Sequence, residues 1–136
     1  MKKETAEMLV SKAIEARKKS YCPYSNFAVG AALLTADGRV YTGANIESVS
    51  FSPTVCAERV AFFTAVHAGE RDFSAIAVVG GKADQDVNDF CPPCGVCRQV
   101  MTEFCKRDFT VLLSDGKNIR EFTLEAILPE SFSSVD

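Results

Sequence analysis

Cys56-Ala57-Glu58 and Pro93-Cys94-Gly95-Val96-Cys97 each stand where a polar loop runs into a stretch with helical apolar spacing. No other feature limits the possible folds so tightly. A helix N-terminus offers unpaired N–H groups and partial positive charge, and both favour a thiolate. At the head of an otherwise buried helix, a thiol, a carboxylate and a guanidinium must be paired or solvated to be tolerated. Two such helix starts brought side by side by a crossover let three sulfurs converge on one ion. There is one histidine, His67, against six cysteines, so a metal site here depends on sulfur. Zinc, with its tetrahedral preference and tolerance for thiolates, is the expected ion.

Three protein ligands leave a fourth position open, which marks a catalytic zinc rather than a structural one. Glu58 follows Cys56 closely enough to act as a proton shuttle for a water activated there, without itself ligating. Three thiolates donate much negative charge, and Arg59 is placed to offset it by hydrogen-bonding a ligand sulfur.

The intervening pattern predicts the fold. Residues 4 to 19 place Ala6, Leu9, Val10, Ala13 and Ile14 on one face of a helix. FAVGAALLT (27 to 35) reads as a strand buried on both faces. Ala36-Asp37-Gly38 is a hairpin signal, and RVYTGA (39 to 44) is the returning strand. A helix opening at Cys56 is expected to stop at Gly69. FSAIAVVG (73 to 80), a helix from Cys94 to Phe104 and a strand over 109 to 113 complete a parallel crossover. Asp115-Gly116 turns into a fifth strand near 119 to 123, and a short helix precedes Pro129. The expected class is α/β: a mixed five-stranded sheet with helices on both faces, in one domain spanning residues 1 to 136.

Net charge is -3 and the isoelectric point is near 5.2, the wrong balance for tracking a phosphate backbone. The expected partner is therefore a small molecule rather than a nucleic acid polymer. No apolar run is long enough to cross a bilayer, and MKKETAEML has no apolar signal segment. Clustered cysteines in a reducing compartment point to metal chemistry, so a cytoplasmic protein is expected.

With these residues in view, the chain resembles the small, homotetrameric type of cytidine deaminase. The matching segments are YCPYSNFAVGAALL (21 to 34), NIE (45 to 47), CAER (56 to 59), PCGVCRQ (93 to 99) and FSS (132 to 134). Cys-x-Glu combined with Pro-Cys-x-x-Cys is a known zinc-deaminase signature. The resemblance implies a three-layer fold of that family and hydrolytic deamination of cytidine and 2′-deoxycytidine. It implies zinc on Cys56, Cys94 and Cys97, Glu58 as proton shuttle, and Arg59 as charge compensation. It further implies Asn45 and Glu47 on the ribose hydroxyls, Phe27 beside the base and the Ala57 N–H on the base carbonyl. Phe132 from a neighbouring subunit would stack over the base. Two positions depart from the family pattern: Cys22 stands where alanine is common, and Phe51 where tyrosine is common.

Plainer readings compete at each position. Cys91 could make a closed four-cysteine site, although Pro92 and Pro93 lack the N–H groups that support a metal knuckle. Cys94 and Cys97 could be a redox dithiol, but Cys56 and Glu58 would then have no role. Glu58 could simply favour the helix dipole, and Arg59 could pair with a surface acid. Asn45 and Glu47 could be turn residues, and Phe27 and Phe132 core packing. The alternative functions are deamination of another aminopyrimidine nucleoside such as blasticidin S, a zinc-stabilised binding module and a polynucleotide-editing deaminase.

Overall fold

The computed structural model describes residues 1–133. Its elements run α1 (Lys3–Arg17), β1 (Phe27–Thr35), β2 (Val40–Ala44), α2 (Ala57–His67), β3 (Phe73–Lys82), α3 (Gly95–Phe104), β4 (Thr110–Ser114), β5 (Ile119–Thr123) and α4 (Leu124–Ile127). Both tight turns use glycine at positive φ, Gly38 at 92° and Gly116 at 96°, a conformation that costs a side-chain-bearing residue dearly. The five strands form one sheet in the order β2-β1-β3-β4-β5. β3 and β4 are parallel, joined through α3, and the other neighbouring pairs are antiparallel. The expected mixed sheet is present.

Alternation along the strands sorts side chains to two cores. Ala31, Leu33, Ile76, Val78, Val111 and Leu113 face α2 and α3, where they meet Ala61, Phe62, Ala65 and Met101. Ala32, Ala75, Ala77, Val79 and Leu112 face α1 and meet Leu9, Val10 and Ala13. The sheet is thus covered on both faces, which explains why β1 reads as apolar almost throughout.

Two glycines set how closely the helices lie on the sheet. A Cβ on Gly30 would fall 2.0 Å from the Ala13 carbonyl oxygen of α1. A Cβ on Gly43 would fall 2.4 Å from the Ala57 oxygen and 2.6 Å from the Ala61 nitrogen of α2. The first turn of α2 therefore rests directly on β2, and this contact fixes where Cys56 and Glu58 stand. Farther along, Phe62 of α2 lies 6.1 Å from Phe104 of α3, nearly parallel, and 5.3 Å edge-on from Phe73. That aromatic cluster aligns the two helices whose N-termini carry the cysteines.

Among the described residues, no helix is long and apolar enough to cross a membrane.

Candidate active site

Cys56 is the N-cap of α2 and Cys94 the N-cap of α3. The crossover expected from sequence brings the two caps together: the Sγ atoms of Cys56, Cys94 and Cys97 all lie within 4.8 Å of one another. Cys56 and Cys94 are 3.8 Å apart, and Cys94 and Cys97 are 3.4 Å apart. Sulfurs bound tetrahedrally to zinc at its normal bond length sit about 3.8 Å from each other. The donor set fits that ion in type and in spacing. The Cys94 sulfur also accepts the Cys97 N–H at 3.4 Å, so the α3 cap holds its ligand sulfur in place.

Charge around the cluster is unevenly distributed. The Cys56 thiol is lowered to about 5, first by its hydrogen bond with Cys97 and further by Arg59, against the opposing effect of burial. Cys97 is pushed up by the same hydrogen bond and by burial. Arg59 donates from Nη2 to the Cys56 sulfur at 3.5 Å. Its Nε is buried without a hydrogen-bond partner among the described residues. One position before it, Glu58 is only 3% exposed. Burial raises its carboxyl above the ordinary range, and the negative charge of Cys56 adds to the rise. A carboxyl poised in this way can both take and return a proton.

Cys91 does not join the group. A Cβ on Gly80 would fall 2.7 Å from the Cys91 sulfur and 3.1 Å from Phe27 Cε2, so Cys91 and the Phe27 ring share a seat on β3. Burial and the nearby charges of Glu58 and Cys56 push the Cys91 thiol up to about 11. Among the described residues the sulfurs close enough to share an ion are those of Cys56, Cys94 and Cys97.

Phe27 opens β1 and is 39% exposed. Ala57 is the first residue of α2, where helix geometry leaves its N–H without an intrahelical partner. Asn45 is nearly buried, and its amide is largely engaged. Its Oδ1 accepts from Val29 N at 2.9 Å and Ser20 Oγ at 2.5 Å, while Nδ2 donates to the Phe27 carbonyl at 2.8 Å. Glu47 accepts from the backbone N–H groups of Tyr24 (3.0 Å) and Ser25 (3.1 Å), and from Ser25 Oγ at 2.5 Å. Both side chains bind backbone, as turn residues do, and each keeps one face for something else. Asn45 retains one amide hydrogen and Glu47 retains lone pairs. Phe132 lies exposed on the C-terminal segment; the FSS motif runs on to Ser134, outside the described residues.

Ser20 bonds Asn45, Ser25 bonds Glu47, Arg98 bonds the Pro93 carbonyl beside Cys94 and Gln99 bonds the Phe132 carbonyl; sequence reasoning gave none of them a role. A hydroxyl or amide that braces a neighbouring loop has no spacing signature, so nothing in the sequence pattern singles them out.

A tri-cysteine cluster with a buried carboxyl one step along, carried on helix starts at one face of an α/β/α sheet, defines a zinc-dependent hydrolase. Residues 3–113 match the model of the cytidine and deoxycytidylate deaminase zinc-binding region. A cytidine deaminase of Halalkalibacterium halodurans is 49% identical over 131 residues, covering 96% of each chain. The crystal structure of cytidine deaminase from Burkholderia pseudomallei superposes with a TM-score of 0.85 at 43% identity, covering 97% of this chain and all of that one. A blasticidin-S deaminase of Bacillus cereus is 31% identical over 108 residues, 77% of this chain and 76% of its own. The chain belongs to the cytidine deaminase family and is a zinc-dependent enzyme.

Proposed function

We propose that this protein hydrolyses cytidine and 2′-deoxycytidine to uridine and 2′-deoxyuridine, releasing ammonia, as a step of pyrimidine salvage. The observation that carries the reading is the convergence of the Cys56, Cys94 and Cys97 sulfurs beside the buried Glu58 carboxyl.

Zinc bound by these three sulfurs supplies Lewis acidity that makes water a usable nucleophile near neutral pH. Glu58 would take the first proton from the attacking water and pass it to N3 of the pyrimidine. It would then take the second from the new C4 hydroxyl and give it to the amino group, which leaves as ammonia as the C4–N bond breaks and the C4 carbonyl forms. Its raised carboxyl suits it to both directions of transfer. Arg59 draws charge from the Cys56 sulfur, so three thiolates donate less strongly than they would alone. The Ala57 N–H at the head of α2 donates to the base carbonyl, and Phe27 walls the base. Asn45, with its spare amide hydrogen, and Glu47, held ionised by Ser25 and the Tyr24 and Ser25 N–H groups, take the ribose hydroxyls. Phe132 stacks over the base of a neighbouring subunit in a homotetramer. Residues 1 to 136 act as one catalytic domain, and thiolate ligation suits the reducing cytoplasm.

The test is turnover by zinc-loaded protein of cytidine, 2′-deoxycytidine, free cytosine and blasticidin S. Uridine and deoxyuridine are expected as products, with little reaction of cytosine, which lacks the sugar that Asn45 and Glu47 would hold. Blasticidin S as the preferred substrate would shift the reading to the second relative. No conversion of either nucleoside by metal-replete protein would reject it.

A further inference from the structure

We propose that Gln99 is a positioning residue for the nucleoside: it ties the helix that carries Cys97 to the segment that carries Phe132, and so sets where that aromatic ring stands. The inference rests on the reading of Phe132 as the ring that stacks on the base.

α3 grips the C-terminal segment at two carbonyls, using consecutive residues that directly follow Cys97. Arg98 donates from Nε to the Pro93 carbonyl at 2.7 Å and from Nη1 to the Ile127 carbonyl at 2.6 Å. It therefore links the residue before Cys94 to the end of α4. Gln99 donates from Nε2 to the Phe132 carbonyl at 2.9 Å. Its amide is itself oriented: Nε2 donates to Thr102 Oγ1 at 3.0 Å, and that hydroxyl is fixed by donating to the Gln99 backbone carbonyl at 2.7 Å. With one amide hydrogen spent on Thr102, the other points at Phe132.

Among the described residues, the Gln99 amide makes the one hydrogen bond that reaches residues 129 to 133. The chain reverses at Glu130, a non-glycine residue with φ of 54°, a conformation most side chains adopt only under constraint. Beneath it lies a cavity of about 290 Å³, lined by Thr102, Cys105 and Leu128 together with Ser131 and Ser133 of the segment itself. Phe132 is 67% exposed and belongs to neither core of the described residues. A ring on a poorly packed strap is placed by its backbone anchor, and here that anchor is the Gln99 amide. Through it, the position of α3 in one site is coupled to the aromatic cover offered to another.

The experiment compares KM, kcat, zinc content and melting temperature for wild type, Gln99→Met, Phe132→Ala and the double variant. Methionine keeps the length and helix propensity of glutamine without the donor. One lost hydrogen bond predicts a roughly three- to tenfold rise in KM for cytidine in Gln99→Met, with kcat and zinc content held, since only uniform binding is lost. The double variant should have the KM of Phe132→Ala alone, because a latch has no effect once its ring is gone. Thr102→Val, which frees the amide to reorient, should give a smaller rise in KM. Independent multiplication of the Gln99 and Phe132 effects, or an unchanged KM in Gln99→Met, overturns the proposal. A wild-type KM in Phe132→Ala would remove the ring from the binding site and the latch with it, while leaving deamination itself standing.

Discussion

Glu58 and Glu47 are both carboxylates at the edge of one site, yet their surroundings give them opposite behaviour. Burial among sulfurs pushes Glu58 up, whereas hydrogen bonds from Ser25 and from the Tyr24 and Ser25 backbone hold exposed Glu47 down. Glu58→Gln keeps size and leaves all three sulfurs in place, so bound zinc should remain near one per chain. Turnover should fall by roughly 10²- to 10⁴-fold, the scale of a lost general acid–base. Metal analysis beside kcat checks it, and loss of zinc would make Glu58 a structural residue instead. For Glu47 the sign follows from its depressed value. The three hydrogen bonds are fully present above the ordinary glutamate range, near about 4.3, and are lost as pH falls below it through the folded value. Amide exchange at Tyr24 and Ser25 should therefore accelerate, beyond its intrinsic pH dependence, once pH falls below the ordinary glutamate range. Glu47→Gln should show no such step. The zinc ligands were legible as residues because thiols at paired helix starts have few other uses. Asn45 was not fully legible: a polar residue at a strand end looks the same whether it holds a sugar or, as its bonds to Val29, Phe27 and Ser20 show, a neighbouring strand.

At the scale of elements, the site depends on α2 lying flush on β2. Gly43→Ala would drive a methyl into the Ala57 and Ala61 backbone, where no flexible side chain can yield. An overpacking cost of about 1–3 kcal/mol is expected, together with displacement of Cys56 and Glu58. Gly30→Ala makes the equivalent collision with Ala13 and Arg17 of α1 on the opposite face of the sheet. The two variants should therefore lose similar stability in urea titration, but only Gly43→Ala should lose zinc affinity and kcat as well. Equal functional loss in both would mean that the site responds to global stability rather than to the seat of α2. Helices, strands and both Asp-Gly hairpins could be read from periodicity and turn chemistry. The expected helix over 4 to 19 ends at Arg17, and the strand over 73 to 80 runs on to Lys82, shifts within the fraying of element ends. The hairpins and the crossover already made neighbours of β1 and β2, of β3 and β4, and of β4 and β5. The pairing of β1 with β3 could not be read, because alternation shows which side chains share a face and carries no information on a partner reached through a long connection.

For the whole molecule, the described chain leaves its site without walls on one side. Cys94 and Val96 are exposed at the head of α3, and Phe27 and Phe132 stand partly or largely in solvent. On the segments next to Glu47, Tyr21, Tyr24, Ile46, Val49 and Phe51 are also exposed. Tyr21 and Ile46 are joined by a backbone bridge, and Tyr24 meets Phe51 edge-on at 6.3 Å. Apolar side chains grouped in this way mark a surface that is covered in use. Phe51 holds φ at 59° in a turn closed by its own N–H on the Ser48 carbonyl and by the Thr54 N–H on its carbonyl, and it exposes 71% of its surface. In the proposed homotetramer, cover by further copies would account for that exposure and would close the site over the base. Val49→Asp combined with Phe51→Asp places two charges on this surface without touching a zinc ligand. Sedimentation should then show a smaller species, with kcat/KM for cytidine lower by roughly tenfold or more, about 1.4 kcal/mol. Zinc content should hold, because all three sulfurs come from the same chain. A dissociated variant with wild-type kcat/KM would show instead that each chain closes its own site, and that Phe132 acts within the subunit that carries it.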